Sequence, residues 1–143
     1  MKLLDDNELV HAHREDAPRH ADHHAWLRSL LDGDEPFGLT STVLTGFVRI
    51  VTHRRVFDPP SPLGVALAFA NEVHNHVNCV ALEAGPRHWE IFRDLCVLAD
   101  ARGNLVSDAH LAALAIESGS ELVSTDRDFA RFPRLRWTQP LRS

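Results

Sequence analysis

Short strand-like runs alternate with longer stretches of helical period along this chain, and that alternation constrains the fold more than any other feature. The runs read KLLD (2–5), FGLT (37–40), CVALE (79–83), ELVST (121–125) and WTQPL (137–141). Between the first two lie a helical turn through Asn7–His13 and a helix over Pro18–Leu31. The second of these has apolar Ala21, Ala25, Leu27, Leu30 and Leu31, and Gly33 to stop it. Thr40, Ser41 and Thr42 offer caps for a helix carrying Val43, Leu44, Phe47, Ile50 and Val51. Further helices are expected over Pro62–Asn75 and over Pro86–Arg102, the latter with Trp89, Ile91, Phe92 and Leu95 inward. A compact one begins at the cap candidate Ser107 and ends at Gly119. Strands joined through helices cannot pair as hairpins, so the expectation is an α/β domain with a mostly parallel central sheet. A length of 143 residues suits one such domain over 1–143.

Composition narrows the class. With 44% hydrophobic and 24% charged residues the chain has enough apolar mass for a core and enough charge for a solvated surface. No apolar run approaches the ~18 residues of a membrane span, and MKLLDDNELV lacks an export signal. Cys79 and Cys96 are too few for a disulfide framework and read as reduced core residues of a cytoplasmic protein. The formal charge of −5 argues against a protein that coats nucleic acid non-specifically. It does not argue against a nuclease whose excess acid sits in a metal site. Lys2 is the only lysine, so the cationic groups are arginines, suited to bidentate phosphate contacts.

In parallel sheets, function gathers outside the carboxyl ends of the strands. Asp5 ends the first run, and Asp126 follows ELVST with Asp128 close behind. Asp108, after Ser107, is expected in a helix's first turn, with Leu111, Ala112 and Ala115 along the same side. Taken singly, each acid is an ordinary capping or turn residue. Brought together without cations they repel, and a divalent ion removes the conflict. Carboxylate oxygens suit Mg²⁺ or Mn²⁺, which can serve an in-line displacement at phosphorus.

Three stretches, LLDDN, FVRIVTHRRVF and GNLVSDAHLAALAIESGSELVSTDRDF, together with GPRHW and DFARFPRLRW, resemble PIN-domain ribonucleases. More narrowly they are similar to VapC-type toxins of bacterial toxin–antitoxin systems, particularly the mycobacterial kind. The resemblance implies a Mg²⁺- or Mn²⁺-dependent endoribonuclease acting on structured RNA of the tRNA or rRNA class. It also implies a VapB-like antitoxin partner and a homodimer. By matching, Asp5, Asp108 and Asp126 are the expected catalytic and metal-binding acids, supported by Asn7, Thr125 and Asp128. Water attacking the phosphodiester in line would leave a 5′-phosphate and a 3′-hydroxyl. The chain departs from the pattern at Gly46, where many PIN domains carry a glutamate, which favours one tightly held ion. It departs again at Glu8, normally apolar, read here as a tolerated change in preference to an added acid near Asp5. Asp6 is expected to alternate away from Asp5 into solvent.

Other signals are weaker. HADHH (20–24) has helical histidine spacing but lacks an evident fourth zinc ligand, and HNH (74–76) lacks the rest of the nuclease motif of that name. His110 is expected to point away from Asp108. Arg49, Arg54 and Arg127 are the candidate RNA-phosphate contacts, against the plainer reading of a solvated surface. Trp26, Trp89, Trp137, Phe129 and Phe132 are expected in the core. Two other readings use the same acids or the same pocket: a PIN-like module that binds RNA or antitoxin without cutting, and a metal-dependent phosphatase or DNA nuclease.

Overall fold

The computed structural model describes residues 1–141. Its strands are β1 (Lys2–Leu4), β2 (Phe37–Leu39), β3 (Cys79–Ala81), β4 (Glu121–Val123) and β5 (Trp137–Thr138). Its helices are α1 (Asp6–His13), α2 (His20–Asp32), α3 (Ser41–Val51), α4 (Leu63–His74), α5 (His88–Ala99) and α6 (Asn104–Ser118). The sheet is parallel throughout, in the order β3-β2-β1-β4-β5. The α/β expectation therefore holds.

The order builds outward from β1 in one direction through β2 and β3, then reverses to β4 and β5. Right-handed crossovers put α1 to α4 on one face of such a sheet and α5 with α6 on the other. The packing agrees: α1 touches α2 and α3, α3 touches α4, and α5 packs on α6. Leu3, Leu4, Leu122 and Val123 on the central strands are fully buried. Ala109, Ala112, Ala113 and Ala115 give α6 a small-residue surface that lies deep in the core.

Local signals explain most boundaries. Thr40 Oγ1 accepts from Val43 N at 3.1 Å and starts α3. Asp5 Oδ1 accepts from Asp6 N at 2.7 Å and caps α1. Gly119, at φ 67°, ends α6 in the left-handed conformation that glycine adopts without strain.

Three sequence expectations need correction. α6 begins at Asn104, a turn earlier than Ser107, because buried Leu105 is drawn into the core and its helical bonds start at Arg102 and Gly103. Ser107 is consequently a helical residue and not a cap, and Asp108 lies in the second turn. α5 ends at Ala99, where Asp100 turns left-handed. Trp89 is 68% exposed: the buried stripe of α5 runs through His88, Ile91, Leu95 and Ala99, one position out of phase with it. Trp26 and Trp137 pack against the core, and Phe129 and Phe132 are buried. Cys79 and Cys96 are free and partly buried. Among the described residues no helix is long and apolar enough to cross a membrane.

Candidate active site

The strand order reverses between β1 and β4, so their carboxyl ends open a crevice at a topological switch point. A cavity of about 530 Å³ lies there, lined by Asp5, Asp6, Gly46, Arg49, Asp108 and Asp126 among others. Asp5 arrives from β1, Asp108 from α6 and Asp126 from the end of β4. The sequence-predicted acids thus share one cavity.

A single hydroxyl ties the two strand ends together. Ser124 Oγ donates to Asp5 Oδ2 at 2.7 Å and accepts from Asp126 N at 3.0 Å and Asn7 Nδ2 at 3.0 Å. Asn7 Nδ2 also reaches Asp5 Oδ2 at 3.2 Å, and its Oδ1 accepts from Thr125 N at 3.3 Å. Asn7 therefore bridges the ends of β1 and β4 beside Asp5. Thr125 contributes a backbone N–H, while the buried hydroxyl that organises the site belongs to Ser124. Position-matching favoured Thr125; the signal for Ser124 was its place directly after the last paired residue of a buried strand.

Asp126 Oδ1 accepts from Asp128 N at 2.9 Å and caps a short 3-10 turn over Arg127–Arg131. That turn carries Asp128 back towards Asp108. Carboxylate oxygens of Asp108, Asp126 and Asp128 lie within 4.8 Å of one another. Burial raises the Asp108 carboxyl to about 7, helped by the charges of Asp126, Asp5 and Asp128. Asp5 is likewise raised to about 7, by burial and then by Asp6, against the favourable bond from Ser124. An all-oxygen donor set with this much unrelieved repulsion fits a hard divalent cation such as Mg²⁺ or Mn²⁺. Asp5, Asp108 and Asp126 would hold it, with Asp128 beside them.

The arginines separate. Arg49 lines the cavity, whereas Arg54 lies exposed beyond the end of α3 and Arg127 is exposed on the 3-10 turn. His110, expected to point away, also lines the cavity. Asp6 is the larger correction. It is half-buried and faces the same cavity, because the chain turns helical at Asp6 and strand alternation stops applying there. Burial raises its carboxyl, opposed by Asp5 and Arg49.

Glu8 does not join the acids. It is fully buried, and its Oε2 meets His23 Nδ1 at 2.8 Å. His20, from the same HADHH run, bonds the carbonyl of His11 through Nδ1 at 2.9 Å. Two of those histidines are thus committed to packing α2 on α1, and Glu8 is accommodated by a partner of its own. Among the described residues the grouped potential metal ligands are Asp108, Asp126 and Asp128, with Asp5 outside that group and no histidine cluster beside it.

A profile of the PIN domain matches residues 2–135. The chain is a PIN-domain protein. This PIN domain is 46% identical over 141 residues to VapC ribonuclease Mb2897 of Mycobacterium bovis, spanning 99% of this chain and 96% of that protein. It is 43% identical over 140 residues to ribonuclease VapC25 of Mycobacterium tuberculosis, spanning 98% and 99%. These relatives place the PIN domain in the VapC family. Among solved structures, VapBC2 from Rickettsia felis, bound to a DNA fragment from its promoter, overlays with a TM-score of 0.72. That overlay covers 96% of this chain and 97% of that one at 16% identity, so the likeness is one of fold. FitAcB from Neisseria gonorrhoeae overlays at 0.65, with 98% of both chains covered and 15% identity.

Proposed function

We propose that this PIN domain is the ribonuclease toxin of a type II toxin–antitoxin pair, a Mg²⁺- or Mn²⁺-dependent endoribonuclease cutting structured RNA of the tRNA or rRNA class. One observation carries the reading. Asp5, Asp108 and Asp126 converge on one crevice in a chain closely similar, over nearly its whole length, to proteins named VapC ribonucleases.

A divalent cation held by these acids supplies the positive charge that activates water and offsets charge on the phosphate in hydrolysis. The protein's own groups do the rest. Ser124 and Asn7 fix the Asp5 carboxylate at the strand end, and Ser124 orients the Asp126 backbone. Arg49 stands in the same cavity as the available cation for an RNA phosphate. In-line hydrolysis would leave a 5′-phosphate and a 3′-hydroxyl. A VapB-like antitoxin and a second copy of the chain are the protein partners this reading carries, and RNA cleavage gives it a cytoplasmic setting.

The test is incubation of antitoxin-free protein with total RNA in Mg²⁺ or Mn²⁺ and in EDTA. Discrete fragments that require metal support the enzyme. Intact RNA from folded protein would instead favour the non-catalytic binding module, a reading that the missing carboxylate at Gly46 recommends.

Protons should compete with the ion. Because Asp5 and Asp108 are both raised to about 7, each is largely protonated at pH 6 and largely ionised at pH 8. Mn²⁺ affinity is therefore expected to climb between pH 6 and 8, by up to about 10-fold per unit for each proton displaced, and to level off above. Calorimetric titrations in buffers of different ionisation heat would count those protons. A pH-independent affinity would remove these two acids from the ion's shell.

A further inference from the structure

Gly46 sits in the interior of α3, where glycine is about 1 kcal/mol less favourable than alanine. A Cβ built on it would lie 2.7 Å from Asp6 Oδ2, so a side chain at position 46 and the present seat of the Asp6 carboxylate exclude each other. Asp6 is the first residue of α1, directly after the Asp5 cap, and its backbone N–H is bound by Asp5 Oδ1 at 2.7 Å. Asp5, the Asn7 backbone N–H and the charge of Arg49 ease its carboxylate, but among the described residues no salt bridge holds it. It faces the cavity that Asp5 and Asp108 also line. An anionic group, partly desolvated, close to other acids and held by no salt bridge, sits against its own electrostatic preference. Fold stability does not explain that arrangement, whereas a cation in the cavity does.

We propose that Asp6 is a further metal-holding carboxylate of this site, reaching over Gly46 from α1 into the space that a side chain of α3 would otherwise occupy. The proposal rests on the metal-dependent reading above and adds to it. The acid set of this chain is Asp5, Asp6, Asp108 and Asp126, and the missing side chain at 46 is the opening through which Asp6 enters. The departure at Gly46 then removes a carboxylate from α3 without reducing the negative charge of the cavity.

The experiment reads Mn²⁺ binding directly, by electron paramagnetic resonance of the free ion, beside RNA cleavage. The full chain is compared with Asp6→Asn, Asp108→Asn, Gly46→Ala and the double variant Asp6→Ala/Gly46→Glu. Asp6→Asn is isosteric, and thermal melting confirms its fold. It is expected to weaken Mn²⁺ binding about 10-fold or more. Gly46→Ala leaves Asp6 in the sequence but displaces its carboxylate. It should weaken Mn²⁺ binding while leaving melting of the metal-free protein unchanged or raised, as the gain in helix propensity predicts. The double variant returns a carboxylate to the same space from α3 and should recover most of the lost affinity. Asp6→Asn binding Mn²⁺ within twofold of the unmutated chain, while Asp108→Asn loses the ion, overturns the proposal alone. Unaltered Mn²⁺ binding in both variants overturns it together with the metal-site reading.

Discussion

Asp108→Asn is expected to lower RNA cleavage by at least about 100-fold, the scale set by removing one charge-stabilising group from an active site. The fold should survive it. The substitution preserves shape, and α6 owes its position to the alanines and leucines of its buried side. It should also relieve strain in the metal-free protein. Asp108 is raised to about 7 from the ordinary value of 3.8, so the folded state holds a proton that the unfolded state has released between those values. Stability from this group is present below about 3.8 and lost as pH rises through 7. Asp108→Asn should therefore melt no lower than the unmutated protein at pH 8, and the two should converge below about pH 4. Fragment analysis on gels and melting curves at both pH values check the two halves. Full metal-dependent cleavage by Asp108→Asn would end the assignment of this carboxylate.

The largest expected loss of stability lies away from the acids. His23→Ala would strand Glu8, which is fully buried with Oε1 already unpartnered among the described residues. Removing the hydrogen-bond partner of a buried, neutral carboxyl costs about 1–3 kcal/mol, and the cavity left by the imidazole adds to it. Urea denaturation of the metal-free protein would measure it. Glu8→Leu combined with His23→Phe should restore most of the loss, since apolar packing commonly replaces a buried pair at little cost. A loss below about 1 kcal/mol in His23→Ala would mean that water reaches Glu8.

The pair also leaves a mark on the pH profile. Burial pushes Glu8 up to about 8 and His23 down to about 4, so the Glu8 hydroxyl donates to His23 Nδ1 and the pair holds one proton. Between the unfolded values of 4.5 and 6.5 the unfolded chain also carries one proton on these two groups, and their contribution is flat. Above 6.5 the unfolded chain has released it, and stability falls until Glu8 ionises near 8. Glu8→Gln should flatten that limb, leaving the part below about 7 that belongs to Asp5 and Asp108.

These two sites also show what was legible in the sequence. Asp5 and Asp126 were readable as residues at or just beyond the ends of β1 and β4, which parallel neighbours bring to one edge whatever the loops do. Asp108 was placed in the same cavity as Asp5 and Asp126, but from the wrong helix start, since the burial of Leu105, which extends α6 by a turn, is tertiary. Asp6 was misread because alternation was carried one residue past the strand into a helix. Trp89 was misread because a single-helix pattern cannot choose between adjacent stripes; His88 took the inward place, its Nε2 bonding the carbonyl of His110 at 3.0 Å. The Glu8–His23 pairing joins residues of two helices and had no local signature.

The hydrogen bond between Ser124 and Asp5 joins residues 119 positions apart. β1 has no partner for that side until β4 exists, and Asp126 lies beyond β4 again. During translation Asp5 is made 119 positions before Ser124, and until β4 exists the other carboxylates cannot be brought to it. A ribosome-bound fragment of this protein therefore carries the first acids without the site. If the site cuts RNA, the ribosome making it is safe from the nascent chain until β4 and the turn carrying Asp126 have emerged, and the activity switches on when β4 joins the sheet.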